Sequence, residues 1–198
     1  VLQQDANVIH IKVADGYEKN WLWDDEHHLS IPNCNDVGAT PRLIGSLYAS
    51  TKGVDAITFL DVDCWMDKDH ISTLIKAHQK SQQGIITFPR RLWDKEGEVC
   101  LGEDAESNGI NFNDTNCWFI TRQYFPLISH FGWLPKELGL VSDRPFFNAA
   151  RHYPMGRAKT FVNYPTHHAH HYEMFGLSVP KGSIRITQTQ NGFEKVTT

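Results

Sequence analysis

The run Ala56-Ile-Thr-Phe-Leu60 is apolar or β-branched and ends in two carboxylates, Asp61 and Asp63, separated by Val62. If the strand continues, its side chains alternate faces and the two acids point the same way. Like charges held side by side repel, and a hard divalent cation, Mg²⁺ or Mn²⁺, is the usual ion between oxygen ligands of this kind. The end of a strand is also where open α/β sheets place their ligands. The plain alternative is a polar exit from strand to loop.

Two later groups could work with that pair. Ser142-Asp143-Arg144-Pro145 puts a carboxylate at a helix start. A general base must lie within hydrogen-bond reach of the hydroxyl it deprotonates, while an acid that does no chemistry still favours a helix N-terminus through the dipole. His167-His168-Ala169-His170-His171 holds four imidazoles in five positions. On a strand His168 and His170 share a face; on a helix His167 and His171 do. Neutral imidazole is a metal ligand, and a surface loop whose histidines bind nothing is the alternative. No cysteine joins the run and no four-ligand spacing occurs, which argues against a separate zinc centre. Trp65, directly after the acidic pair, is suited to lining a site. Trp118 is suited either to stacking on a ligand ring or to the core, where tryptophan more often sits.

The elements that must carry these residues alternate. Asn7 to Ala14 reads as a strand closed by the turn Asp15-Gly16. Thr40-Pro41 reads as N-cap and first helical residue of a helix running to about Ser50, closed by Lys52-Gly53. Ala56 to Leu60 reads as a strand covered on both faces, and Asp67 to Lys80 as a helix capped by Asp67, with Ile71, Leu74, Ile75 and His78 on one face. Ile85 to Phe88 is a strand stopped by Pro89. The polar stretch Leu92 to Asn113 is long enough for a functional loop. Cys117 to Thr121 is a strand before a short helix to Ile128, Asp143 to Arg151 a helix with Ser142 as N-cap, and Lys159 to Tyr164 a last strand. The tail from Pro180 is polar, with a strand-like patch at Ser183 to Thr187. Strands alternating with helices lead to an α/β sandwich with a mostly parallel sheet.

The 198 residues suit one domain with a tail. Hydrophobic residues make up 40% and charged residues 21%, the balance of a soluble globular chain. A net charge of −4 carries no basic patch, so no nucleic-acid partner is expected. The four cysteines are dispersed without a C-x-x-C pair, which points to free thiols in a reducing compartment and a cytoplasmic location. No apolar run is long enough for a transmembrane segment, and the first residues do not read as a signal peptide.

Four blocks, in order, resemble the nucleotide-sugar domain of family 2 glycosyltransferases, enzymes of the GT-A fold. Val13-Ala14-Asp15-Gly16 is like that family's strand ending in an acidic turn. Asn35 to Arg42 is like its N-x-G-x-x-x-A-R-N block. Phe59 to Trp65 is like its D-x-D block, and Asp67 to Leu74 like the helix after it. The resemblance covers about a third of the chain well. It implies a GT-A-like three-layer α/β sandwich over residues 1–179, with 1–90 as the nucleotide-sugar and metal half, 91–179 as the acceptor half and 180–198 as tail. It also implies an enzyme of hexosyltransferase type. Its donor would be a nucleoside diphosphate sugar, with UDP-sugar first, and its acceptor a saccharide or other hydroxyl.

By the same resemblance Asp15 sits by the base and Arg42 near the base or diphosphate. Asp61 approaches the ribose, and Asp63 holds Mn²⁺ or Mg²⁺ on the diphosphate. His168 or His170 joins the metal, and Asp143 serves as base in the place of the second acid of an E-D pair, with Ser142 replacing the first. That family's first strand and helix have no counterpart before Asp15, so the resemblance implies a chain truncated at its start or a pared-down fold.

An apolar strand leading into Asp-x-Asp also resembles haloacid-dehalogenase-type phosphatases, whose first aspartate is a nucleophile. Trp65 stands where that family has Thr or Val, and no late Asp-Asp pair follows. A nucleotide-sugar-binding module without catalysis is the third reading.

Overall fold

The computed structural model describes residues 8–15, 28–31, 38–132, 141–190 and 192–198. In chain order these form β1 (Lys12–Asp15), β2 (His28–Ile31), α1 (Ala39–Thr51), β3 (Ala56–Thr58), β4 (Trp65–Met66), α2 (His70–Ser81), β5 (Ile85–Thr87), β6 (Arg90–Trp93) and β7 (Cys100–Glu103). There follow β8 (Trp118–Thr121), a 3₁₀ segment over Arg122–Phe131, α3 (Asp143–Ala150), β9 (Met155–Arg157), β10 (Val162–Pro165), α4 (Ala169–Met174), β11 (Ile184–Thr189) and β12 (Gly192–Thr197).

The mostly parallel central sheet of a GT-A-like sandwich is not what the chain builds. It forms two small mixed sheets, ordered β3-β8-β5-β9 and β4-β10-β6-β7. In the first, β8 is antiparallel to both β3 and β5, and only β5–β9 is parallel. In the second, only β10–β6 is parallel. The reason lies in β8. Strand β3, helix α2 and strand β5 have the form of a parallel crossover, and β3 and β5 do run in the same direction. A strand distant in sequence is inserted between them, running against both. Local periodicity registers the crossover but not the insertion.

The first sheet carries the core. Ile85 pairs with Ile120 and Ile86 with Phe119, so alternation sends Ile85 and Ile120 to one face and Ile86 and Phe119 to the other. The first face packs on Phe131 of the 3₁₀ segment and on Phe146 and Phe147 of α3. The second packs on Ile71 and Leu74 of α2. Phe131 stacks on Phe146 at 4.5 Å between ring centres, and Trp118 meets Phe146 edge-on at 5.0 Å. Each such side chain contributes about 1.5–3 kcal/mol on burial. This packing fixes α3, and with it the position of Asp143 at the helix start.

Helix α1 begins two residues earlier than Thr40-Pro41 suggests. Its cap is Gly38, in the left-handed region at φ 83°. A Cβ on residue 38 would stand 2.6 Å from Arg42 Nη1, so glycine both makes the turn and leaves room for that guanidinium. Asp67 does not cap α2 through its side chain; its carboxylate instead accepts bonds from Arg91 and Asn163.

The stretch after Pro180 forms an antiparallel hairpin, β11–β12. It is fastened to the histidine run, where the Ile184 amide donates to the His167 carbonyl at 2.7 Å. Among the described residues no helix is long and apolar enough to cross a membrane.

Candidate functional site

A cavity of about 200 Å³ opens where α3, the β8 approach, the histidine run and the C-terminal hairpin meet. Arg42, Asp61, Asp143, His168 and His170 all line it. Sequence positions far apart are thus brought to one place. Asp63, Trp65 and Trp118 do not line it. Asp15 closes β1, but its side chain lies outside the described residues.

The acidic pair does not sit on a strand. Strand β3 ends at Thr58, and the Cys64 amide donates to the Asp61 carbonyl at 3.0 Å, closing a turn over residues 61–64. The strand rule of alternating faces therefore does not apply to Asp61 and Asp63, and the two carboxylates diverge in role. Asp61 Oδ1 pairs with Arg42. Its Oδ2 accepts from Asn116 Nδ2 at 2.9 Å, and its amide donates to Asn116 Oδ1 at 2.8 Å. Asp63 is exposed, with the Cys64 thiol 3.5 Å from its Oδ1.

A second charged group forms part of the cavity wall. Arg90 is buried and donates through Nε to Asp104 at 2.7 Å and through Nη1 to Asp114 at 2.5 Å. Its Nη2 lies 3.3 Å from His171 Nε2. Arginine only donates, so that nitrogen accepts and the His171 proton resides on Nδ1, donated to Thr166 Oγ1. Burial pulls down the affinity of Arg90 for its proton, but Asp114 and Asp104 more than offset this and raise it. Burial and the Arg90 charge hold His171 neutral, far below the ordinary imidazole range. The Tyr164 ring stacks on the guanidinium at 4.6 Å.

Three ionisations at the cavity are displaced in ways that bear on chemistry. Burial, and then the neighbouring Asp114 carboxylate, push Asp143 up from 3.8 to about 6, against the pull of Arg144 and Arg90. Burial first, and then the charges of His170, Arg90, Lys195 and His167, lower His168 to about 4. His170 is lowered by burial, with Glu106, 3.9 Å from its Nε2, acting the other way. Cys64 and Cys117 are buried thiols whose ionisation burial pushes far up, which makes them poor nucleophiles.

His168 precedes α4, and His170 and His171 fall in its first turn, so all three reach the cavity while His167 is exposed. The His168 Nδ1 atom is buried without a hydrogen-bond partner. Carboxylate oxygens such as those of Asp63 suit Mn²⁺ or Mg²⁺, whereas imidazole suits softer metals, and Asp63 does not line the cavity that His168 lines. Among the described residues no three acidic, histidine or cysteine side chains converge on one point. Mg²⁺ seldom uses an all-protein cage; it takes one or two carboxylates and completes its shell with substrate phosphates. The described residues therefore form no preassembled cation site.

The tryptophans separate cleanly. Trp118 is fully buried among Phe146 and Phe147 and has no face open to a sugar. Trp65 is partly exposed on β4 and stacks on Trp93 at 5.3 Å. Sequence reasoning missed Arg90, Asp114, Arg144 and Lys195, and it named His171 only as a member of the histidine run. The one usable sign was Asn113-Asp114-Thr115-Asn116, where an Asp N-cap accepts the Asn116 amide at 2.9 Å and starts a 3₁₀ turn. No family profile matches the chain, and no curated protein matches it.

Proposed function

We propose that the protein transfers a glycosyl group from a nucleoside diphosphate sugar to an acceptor hydroxyl, with Asp143 as general base. The observation that carries this reading is one cavity in which a carboxylate ionising at about 6 stands among cationic side chains. A base works best when it is deprotonated at the working pH yet still holds a proton firmly. Asp143 meets both conditions at neutral pH. His168, lowered to about 4, is a weaker base. The buried thiols of Cys64 and Cys117 are not activated, and in this reading the attacking oxygen belongs to the acceptor.

The acceptor oxygen attacks the anomeric carbon while the bond from that carbon to the diphosphate oxygen breaks. The hydroxyl proton passes to an Asp143 oxygen, and the electron pair leaves with the diphosphate. One displacement inverts the anomeric centre. By the resemblance Asp63 and Asp61 would hold Mn²⁺ or Mg²⁺ on the diphosphate, although only Asp61 lines the cavity and its oxygens are shared with Arg42 and Asn116; such a cation would supply Lewis-acid stabilisation of the leaving group. Arg42 keeps Asp61 neutralised, so the cavity wall does not repel the donor. A volume of about 200 Å³ is smaller than the roughly 300 Å³ at which whole small-molecule sites begin, and it suits a sugar ring or a diphosphate rather than an entire donor.

The test is a screen of nucleoside diphosphate sugars, UDP-sugars first, with Mn²⁺ and simple saccharides, reading release of the nucleoside diphosphate. Asp143→Asn should lower turnover about 10²- to 10⁴-fold while donor binding changes little. Equal turnover in that variant would remove Asp143 from the reaction. Failure of every donor to bind would remove the function.

A further inference from the structure

The hairpin β11–β12 is more than a tail. Ile186 and Lys195 are direct cross-strand partners, so they stand on one face of the hairpin, and both line the cavity. The hairpin is held there by the Ile184 amide on the His167 carbonyl, by a parallel bridge between His168 and Ile184, and by an ion pair between Arg185 and Glu173 of α4. Each of these ties depends on residues beside the histidine run, so the hairpin and the histidines are one assembly.

Charge bookkeeping along the cavity wall identifies what that assembly offers. Arg42 is engaged by Asp61, and Arg90 by Asp114 and Asp104. Among the described residues, two cations at the cavity have no carboxylate within ion-pair distance: Arg144, packed over the Phe112 ring at 3.8 Å, and Lys195. They come from opposite ends of the chain's second half, one from α3 beside Asp143 and one from the hairpin beside His168. Lysine acts on phosphate as a mobile point charge and arginine as a planar fork.

We propose that Lys195, presented by the C-terminal hairpin and acting with Arg144, binds the diphosphate of the donor. This rests on the glycosyl-transfer reading for the identity of the anion, but not for the existence of an anion site. Leaving-group charge would then be met from the C-terminal side of the cavity as well as from the Asp61–Asp63 turn. The Ile186 side chain opposite supplies the apolar half of the same face.

Calorimetric titration of the full chain with UDP and with inorganic diphosphate, each with Mn²⁺, tests it. Lys195→Met keeps the aliphatic stem and removes the charge; it should weaken both ligands about tenfold or more, the loss of one charge-assisted bond. Lys195→Arg should stay within about threefold of the parent by keeping the charge. Glu194→Ala, one position along and outside the cavity, should change neither, and its thermal midpoint serves as the folding control. If the parent binds both ligands and Lys195→Met binds them equally well, the proposal is overturned and the function stands. If the parent binds diphosphate but not UDP, and Lys195→Met loses it, the anion site stands and the nucleotide-sugar reading falls. If the parent binds neither, both fall.

Discussion

Two arginines serve the same cavity under different physical terms. Arg42 meets Asp61, whose side chain is 37% exposed. Arg90 is enclosed between Asp104, with no exposed side-chain surface, and Asp114. Water can replace Arg42 as a partner of Asp61, and a ligand can compete for it. Nothing can replace Arg90 without leaving charge buried. A buried ion pair earns little net stability when complete, but breaking it strands a charge in a poor solvent. The comparison teaches which charges are scaffold and which are reagents: Arg90 holds the wall, while Arg42–Asp61 faces the chemistry.

The largest effect should come from the scaffold. Arg90→Met leaves Asp104 and Asp114 without their cation and frees His171 Nε2, and it should cost about 3–5 kcal/mol in urea unfolding. A loss below about 1 kcal/mol would mean that the carboxylates are hydrated or protonated, and the distinction between the two arginines would break.

Next comes the ionisation of Asp143, which the scaffold helps to set. Turnover should rise with pH, reach half its plateau near pH 6, and at pH 5 stand at about a tenth. The stability sign is opposite. The folded state holds this proton more tightly than the unfolded chain, so the contribution is fully present below 3.8 and is lost as pH rises through about 6. Asp114→Asn removes a neighbouring negative charge and should move the activity limb to lower pH. A limb that stays put would deny Asp114 that influence.

The sequence reads well where a signal is local. The apolar strand before Asp61, the helix face of Ile71 and Leu74, and the start of α3 at Asp143 all follow from periodicity and end signals. The choice of Arg42, Asp61, Asp143, His168 and His170 as candidates comes instead from residue type and from the resemblance to family 2 glycosyltransferases, and their convergence follows from neither. What fails is non-local. The insertion of β8 between β3 and β5 depends on pairing across the fold, which no window of residues contains. Arg90 follows a strand and precedes another arginine, and nothing nearby marks it as the buried member of the pair. Asp104 and Asp114 lie in a polar stretch whose composition suggests loop. Lys195 is one polar residue in a polar segment until its register against Ile186 turns it toward the cavity.

A smaller effect should separate the cavity from its surroundings. Trp65→Ala removes the stack on Trp93, an aromatic pair worth about 0.5–1.5 kcal/mol. Trp93 keeps its own bond to Asn163 Oδ1 at 3.0 Å, so the strand pairing should survive. Because Trp65 does not line the cavity, UDP affinity should be unchanged. A weakened affinity would extend the site across β4.

The smallest stability change should come from Arg42→Met, and it completes the comparison. Asp61 would lose its cation but keep Asn116 and gain water, so the cost should be about 1 kcal/mol or less. Function should respond differently. An unneutralised Asp61 repels an incoming diphosphate, yet its freed oxygen is a better cation ligand. Binding of UDP without metal should therefore weaken, and binding at high Mn²⁺ should recover. Calorimetry across a Mn²⁺ series checks both halves. If Arg42→Met instead unfolds the chain as readily as Arg90→Met, the half-buried Arg42–Asp61 pair is scaffold too. The reagent side of the cavity would then reduce to Asp143 and the hairpin.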